Sequence, residues 1–335
     1  MGKRRRTGLV IGGGAALGGA WAVGALSALN DVEGYDPASS ADLVVGTSAG
    51  SVLAALLGCG VPLDVMQHRL SGRTAEDVEG TGPVNPFAVH DHVRTALGNI
   101  PRPIPAPGNL LLAARTLGRP HRYTMMTTAA ALAPRGRGSL QPVADLIAEY
   151  TGGRRWPRRP KTWIVAMDFD SGRRVAFGRS DAPVVPLVDA VLASCAAPGY
   201  FPPVPIGSRR YVDGGAVSVT NVDVVLREHL DEVLVLAPMA MFERDHPSGL
   251  FARLERRARR LWTRRLNVEV SRLAATGTKV RVFAPTAEDL YVMGGNVMDP
   301  TRRREVFETA LRTMRERLTT GPAPTAPSGD AAVAG

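Results

Sequence analysis

Ser48 stands between two glycines in "DLVVGTSAGSVLAALLGCG", residues 42–60, after an apolar run ending at Val45 and before a second one starting at Val52. A G-x-S-x-G pentapeptide has a definite chemical use when it falls on a strand-to-helix turn. Gly46 and Gly50 then let strand and helix pass closely, the serine backbone is strained, and Oγ projects above the sheet edge as a nucleophile. The helix that follows aims its free N–H groups and its positive end at the same spot. The same five residues also make an ordinary glycine-rich loop, so the reading turns on partner groups elsewhere in the chain.

Two partners are present. "GGGAALGG", residues 12–19, follows a short apolar run, and backbone amides in such a loop approach a developing oxyanion without side-chain obstruction. Gly13, Gly14 and Ala15 are the candidate donors, with Gly12 supporting the turn. In "YVDGG", residues 211–215, Asp213 precedes Gly214 and Gly215, so its carboxylate is presented at a chain reversal. Asp-Gly is also a common turn signal. Near a serine hydroxyl, however, a screened carboxylate serves as a general base. The glycine loop does not fit G-x-G-x-x-G in any register, because the sixth position after Gly12 is Leu17, and no Gly-Lys-Ser/Thr follows, which argues against a nucleotide site. A Ser-His-Asp triad needs a histidine beyond the acid; only His229 and His246 lie there, and His246, in "ERDHPSG", is the one on a loop.

Four ordered motifs together resemble the patatin-like phospholipases: the glycine loop, "GTSAGS", the block "ASCAAPGYFPPVPI" at 193–206, and "YVDGG" followed by Asn221. The resemblance spans residue 7 to about 225. It implies a three-layer α/β/α fold, a Ser48–Asp213 dyad without histidine or metal, and an oxyanion hole from the glycine loop. The family loop usually reads G-G-G-x-R/K-G; in this chain neither Ala16-Leu17-Gly18 nor Ala15-Ala16-Leu17 supplies the basic residue.

The elements that must position these groups are legible as alternating strands and helices. "TGLVI" at 7–11 reads as a buried strand, followed by the loop 12–19 and a helix over "AWAVGALSALN". The segment 41–60 repeats that grammar, and further strands are expected at 162–169, 173–178, 232–238 and 279–285. The alternation predicts a mainly parallel sheet covered on both faces. Residues 93–160 break the pattern with Pro-, Gly- and Arg-rich stretches framing two short helical patches, and read as a basic insertion or cap. One patatin-like acyl hydrolase domain over 1–318 is expected, with a disordered Pro- and Ala-rich tail from Thr319.

With 335 residues and 44% hydrophobic content the chain can bury a large core. Cys59 and Cys195 are too few for a disulfide framework, and "MGKRRRTGLVIGGG" lacks an apolar signal core, so a cytoplasmic setting is expected. No metal-ligand spacing links His68, His90, His92 or His121 to cysteines or acids, and no cofactor is called for. The net charge of +10 rests on arginine and favours polyanions, while an aromatic content of 5% argues against a base-stacking surface for nucleic acid. Residues 250–273 place Leu250, Leu254, Leu261, Trp262, Leu266 and Leu273 near one helical face amid arginines. That pattern serves either a scaffold helix or a peripheral contact with an anionic membrane. "NLLLAARTL" in the insertion is a second candidate, as a lid. The expected function is hydrolysis of fatty-acyl lipid esters through an acyl-enzyme. Acyl transfer on the same dyad, or non-catalytic lipid binding, are the alternatives.

Overall fold

The computed structural model describes residues 4–70, 102–151, 156–247 and 249–320. In chain order the elements are β1 (Thr7–Ile11), α1 (Ala15–Glu33), α2 (Pro37–Ser40), β2 (Leu43–Thr47), α3 (Ala49–Gly58) and α4 (Leu63–Leu70). They continue with β3 (Ile104–Pro107), α5 (Leu110–Gly118), α6 (Met125–Leu132), β4 (Pro134–Arg135) and α7 (Gln141–Thr151). Next come β5 (Lys161–Asp168), β6 (Arg174–Phe177), α8 (Leu187–Cys195), β7 (Val204–Ile206) and β8 (Arg209–Asp213). The last are β9 (Glu232–Leu236), α9 (Leu250–Ala274), β10 (Lys279–Phe283), α10 (Ala287–Met293) and α11 (Arg303–Thr320).

An eight-stranded sheet runs β10-β9-β1-β2-β5-β8-β7, with β6 also on β5. The five strands from β10 to β5 are parallel, whereas β6, β7 and β8 join antiparallel. The strand alternation explains the layers. Leu9, Ile11, Val44, Ile164, Ala166, Leu234 and Leu236 enter one core, with α1, α3, α8 and α11. Val10, Leu43, Val45, Trp163, Val165, Val233 and Val235 enter a second, with α9. Successive side chains of a strand face opposite ways, so a sheet buried on both faces needs near-continuous apolar runs, as in the centres of β1, β2, β5 and β9. The result is the three-layer α/β/α fold.

Register fixes where the site falls. β5 carries β6 on one edge, since Ile164 and Val165 pair with Phe177 and Ala176 while also pairing with Gly46 and Thr47 of β2. Ala166 likewise pairs with both Val175 and Asp213. β2 and β8 therefore share the other edge of β5 and run toward each other. Thr47 stands opposite Val165 and Asp213 opposite the next residue, Ala166, so the two strands meet end to end.

Several expectations are adjusted. The loop at 12–19 is shorter than expected: α1 already begins at Ala15, because small residues let its first turn pack close to Pro238. α11 continues through Thr319 and Thr320, and residues 321–335 lie outside the described residues. Within the insertion, residues 93–101 and 152–155, like His90 and His92, lie outside the described residues, while the rest forms α5, α6, α7 and a β3–β4 ribbon. Leu112, Ala113, Ala130 and Ala131 pack with Met167, Phe169 and Val212 of the sheet, and Asn109 donates from Nδ2 to the Phe169 carbonyl at 2.5 Å. On α9 the apolar residues fall on two faces. Leu266, Val270 and Leu273 are buried, whereas Leu250, Leu254 and Leu261 are exposed. No helix among the described residues is long and apolar enough to cross a membrane.

Candidate active site

Ser48 occupies the turn between β2 and α3 with φ 53° and ψ −125°, in the positive-φ region that non-glycine residues rarely adopt. Such a conformation costs on the order of 1–3 kcal/mol and persists only when its surroundings hold it. The surroundings do so on both sides. The Ser48 N–H donates to Ser194 Oγ at 2.9 Å, and that hydroxyl donates to the Val165 carbonyl of β5 at 2.7 Å. The Ser48 carbonyl accepts from the Ser51 N–H at 2.7 Å, from Ser51 Oγ at 2.6 Å and from Cys195 Sγ at 3.5 Å. Ser194 and Cys195 lie inside the block at 193–206, but nothing in their spacing announces these roles. A Cβ on Gly46 would meet the Gly50 carbonyl and Ser51 Cα, and one on Gly50 would meet the Ile11 and Gly12 carbonyls, so both glycines are sterically required.

Asp213, at the end of β8, is 6% exposed. Its carboxylate accepts from the Gly215 N–H at 2.7 Å, and the Ser48 hydroxyl lies close enough to favour its charged form. Burial outweighs both influences and pushes the carboxyl from 3.8 up to about 6. Gly214 lies directly over β5, where a Cβ would meet the Val165 carbonyl oxygen at 2.5 Å. Asn221 locks the junction, donating from Nδ2 to Thr47 Oγ1 at 3.1 Å and to the Ser218 carbonyl at 2.5 Å, while its Oδ1 accepts from Arg174 at 3.0 Å.

The glycine loop lies against the serine: a Cβ on Gly13 would sit 3.1 Å from Ser48 Cβ. Gly12 N–H is taken by the Leu236 carbonyl at 2.9 Å and Gly13 N–H by the Val219 carbonyl at 2.8 Å. Gly13 is thus removed from the candidate donors, because its amide is occupied. The amides of Gly14 and Ala15, and of Ala49 at the start of α3, carry no hydrogen bond to any described residue. Behind the loop, Pro238 would contact a Cβ on Gly14 or Gly18 at 3.1 to 3.4 Å. The Pro238 carbonyl accepts from the fully buried Arg259 at 2.7 Å, and Arg259 pairs with Glu255 at 2.5 Å. A cation from α9 therefore backs a loop that lacks its own.

From Ser48 a cavity of about 220 Å³ runs between α1, α3, α4 and α7. Val23, Val52, Leu56, Met66, Val143 and Phe201 give it an apolar wall. Leu140, Val143 and Leu146 of the insertion reach it, whereas the "NLLLAARTL" segment expected as a lid does not: Leu112 is buried against the sheet end, and Leu110, Leu111 and Leu117 face outward. Among the described residues no histidine lines this cavity. His246 lies in a separate cleft with Met241, Arg244, Asp245 and Arg256, and the exposed His229 is no closer to a triad role. Cys195, whose thiol burial and the Asp213 charge push up to about 12, is no thiolate nucleophile at neutral pH.

The family model described as Patatin-like phospholipase matches residues 9–226, which contain the loop, Ser48, Ser194 and Asp213. The chain belongs to the patatin-like phospholipase family. No curated protein matches it. Among solved structures it is similar to VipD from Legionella pneumophila, with 14% identity and a TM-score of 0.42 over 95% of this chain and 67% of that one. It is also similar to the type III effector protein ExoU, with 20% identity and a TM-score of 0.36 over 94% of this chain and 53% of that one. Membership in the patatin-like family supports lipid hydrolase activity at that general level. Among the described residues no group of His, Cys, Asp and Glu has the arrangement of a metal site.

Proposed function

We propose that this patatin-like chain hydrolyses fatty-acyl esters of lipids through a Ser48–Asp213 dyad. The observation that carries the reading is the strained Ser48 beside the buried Asp213 carboxylate, whose charged form the serine hydroxyl favours, at the mouth of an apolar cavity. Ser48 Oγ attacks the ester carbonyl while its proton passes to Asp213. The oxyanion is held by the amides of Gly14, Ala15 and Ala49, with the positive end of α3 beside them. Collapse expels the alcohol, which takes the proton back from Asp213 and leaves an acyl-serine. Asp213 then takes a proton from water, whose oxygen attacks the acyl carbon, and that proton returns to Ser48 as the fatty acid leaves. The cavity is smaller than the roughly 300–1,000 Å³ of sites that enclose a whole small molecule, which fits one acyl chain, with the rest of the lipid outside.

A fluorophosphonate probe should form an adduct located by mass spectrometry on Ser48. Ser48→Ala should reduce turnover of a chromogenic acyl ester to background with an unchanged circular dichroism spectrum. Retained turnover in that variant removes the mechanism. For access to lipid, α9 offers Leu250, Leu254 and Leu261 exposed on one stripe, with the exposed Arg253, Arg257 and Arg260 beside them. Apolar tips amid cations fit the surface of an anionic bilayer.

A further inference from the structure

Of the described side chains lining the cavity beside Ser48, only Arg303 carries a charge. It is the first residue of α11 and 7% exposed. Its Nε donates to the Pro300 carbonyl at 3.0 Å, but its Nη2 is buried with no hydrogen-bond partner. Its neighbours differ: Arg302 faces Glu305 at 3.7 Å, Arg304 faces Glu308 at 2.8 Å and Arg312 faces Glu316 at 3.2 Å. Among the described residues no carboxylate lies within ion-pair distance of Arg303, and burial alone pulls its pKa down. A guanidinium cannot shed its proton in a protein, so a buried, unpaired one is a cation waiting for an anion.

The placement says what kind of molecule would bring that anion. The segment before α11 is tied to α1 by the Leu17 N–H donating to the Val297 carbonyl at 3.1 Å, and α11 packs along α1, its Phe307 carbonyl against Gly24. The α1 residues that line the cavity run from Ala15 beside the serine to Val23, about 12 Å further along the helix axis at its ordinary rise. Ala20, Val23, Leu53 and Met298 line the same cavity as the serine and the arginine.

We propose that this cavity binds an amphiphile whose apolar chain lies along α1 and α3 and whose anionic oxygen group, carboxylate or phosphate, pairs with Arg303. Taken with the esterase reading, on which this extension to substrate class rests, the natural ester carries an anionic group in addition to its scissile carbonyl. Arg303 selects that group, and neutral esters of the same length bind more weakly.

Binding to the full-length Ser48→Ala protein tests this without catalysis. Calorimetry would compare decanoate, decyl phosphate and decanol below their aggregation limits. At least one anion should bind about 10- to 100-fold more tightly than decanol, as expected of a charge-assisted pair, and which one does separates a carboxylate site from a phosphate site. Adding Arg303→Met should abolish the preference; Arg303→Lys should keep part of it, and Arg303→Gln serves if the methionine variant does not fold. Three outcomes overturn the proposal. One is equal binding of all three probes. Another is a preference surviving Arg303→Met, which means the glycine loop holds the anion. The last is a lowered melting temperature in Arg303→Met with the preference unchanged, which means the arginine pairs within the chain. Anion preference without fluorophosphonate labelling removes the esterase reading alone, and labelling without preference removes this one alone.

Discussion

Asp213 binds a proton more tightly in the folded protein than in the unfolded chain, because burial lifts its carboxyl from 3.8 to about 6. Below pH 4 the group is protonated in both states and its ionisation leaves stability unchanged. Between about pH 4 and 6 the unfolded chain loses the proton first, so stability falls, and above pH 6 the full cost of burying the charge remains, on the order of 3 kcal/mol. Asp213→Asn should therefore raise the melting temperature at pH 7 to 8, with the gain vanishing below pH 4, while turnover is lost. In the unaltered enzyme kcat/KM should rise with pH through about 6 as the base deprotonates. Scanning calorimetry across pH and a pH–rate profile check both halves; an unchanged melting temperature at pH 8 contradicts the burial argument. The serine, acid and loop were all legible as residues because each sits in a short glycine-framed motif. Ser194 and Arg303 were not, since a hydroxyl that clamps an amide 146 positions away and an arginine with no carboxylate partner among the described residues are defined only by what surrounds them.

At the level of elements, β2, the elbow and α3 depend on close passage of backbones. Gly50→Ala should cost about 1–3 kcal/mol or more by overpacking against the carbonyls of Ile11 and Gly12. Gly118→Ala, whose added methyl meets nothing within 4 Å, should be neutral or slightly stabilising. Urea denaturation of the pair measures the contrast, and equal stability of the two variants contradicts the close-packing account. The parallel strands β1, β2, β5 and β9 were readable because each holds a continuous apolar run, whereas β10 is interrupted by Arg281. The β8–β7 hairpin was less so: "RRYVD" holds two apolar residues, and its antiparallel docking is dictated by β5. The start of α1 was misplaced by the run of small residues at 15–19, which reads as loop by composition and is helix by packing. α9 shows the converse, since its leucines form one hydrophobic set in sequence yet divide in space between core and exterior.

Over the whole molecule, much of the arginine surplus is tied up in ion pairs. Arg4 with Asp42 at 2.8 Å and Arg304 with Glu308 at 2.8 Å are examples, and exposed pairs of this sort contribute little each. The stripe formed by Leu250, Leu254 and Leu261 with its arginines is a part of the described surface that combines positive charge with apolar reach. The protein should co-sediment with vesicles containing phosphatidylglycerol more than with purely zwitterionic ones, and less so as salt is raised. Replacing Leu250 and Leu254 by serine should weaken that association while leaving turnover of a soluble ester intact. Equal sedimentation with both vesicle types contradicts docking through this stripe.

The meeting of β2 and β8 on one flank of β5 has an evolutionary consequence. Because neighbouring residues of a strand project to opposite sides, a single-residue insertion or deletion in β8 would carry the acid to the far side of the sheet. The pairing of acid and hydroxyl can be kept or lost but not loosened by degrees, and variation in this lineage should gather in the loops around β8 and leave its length alone.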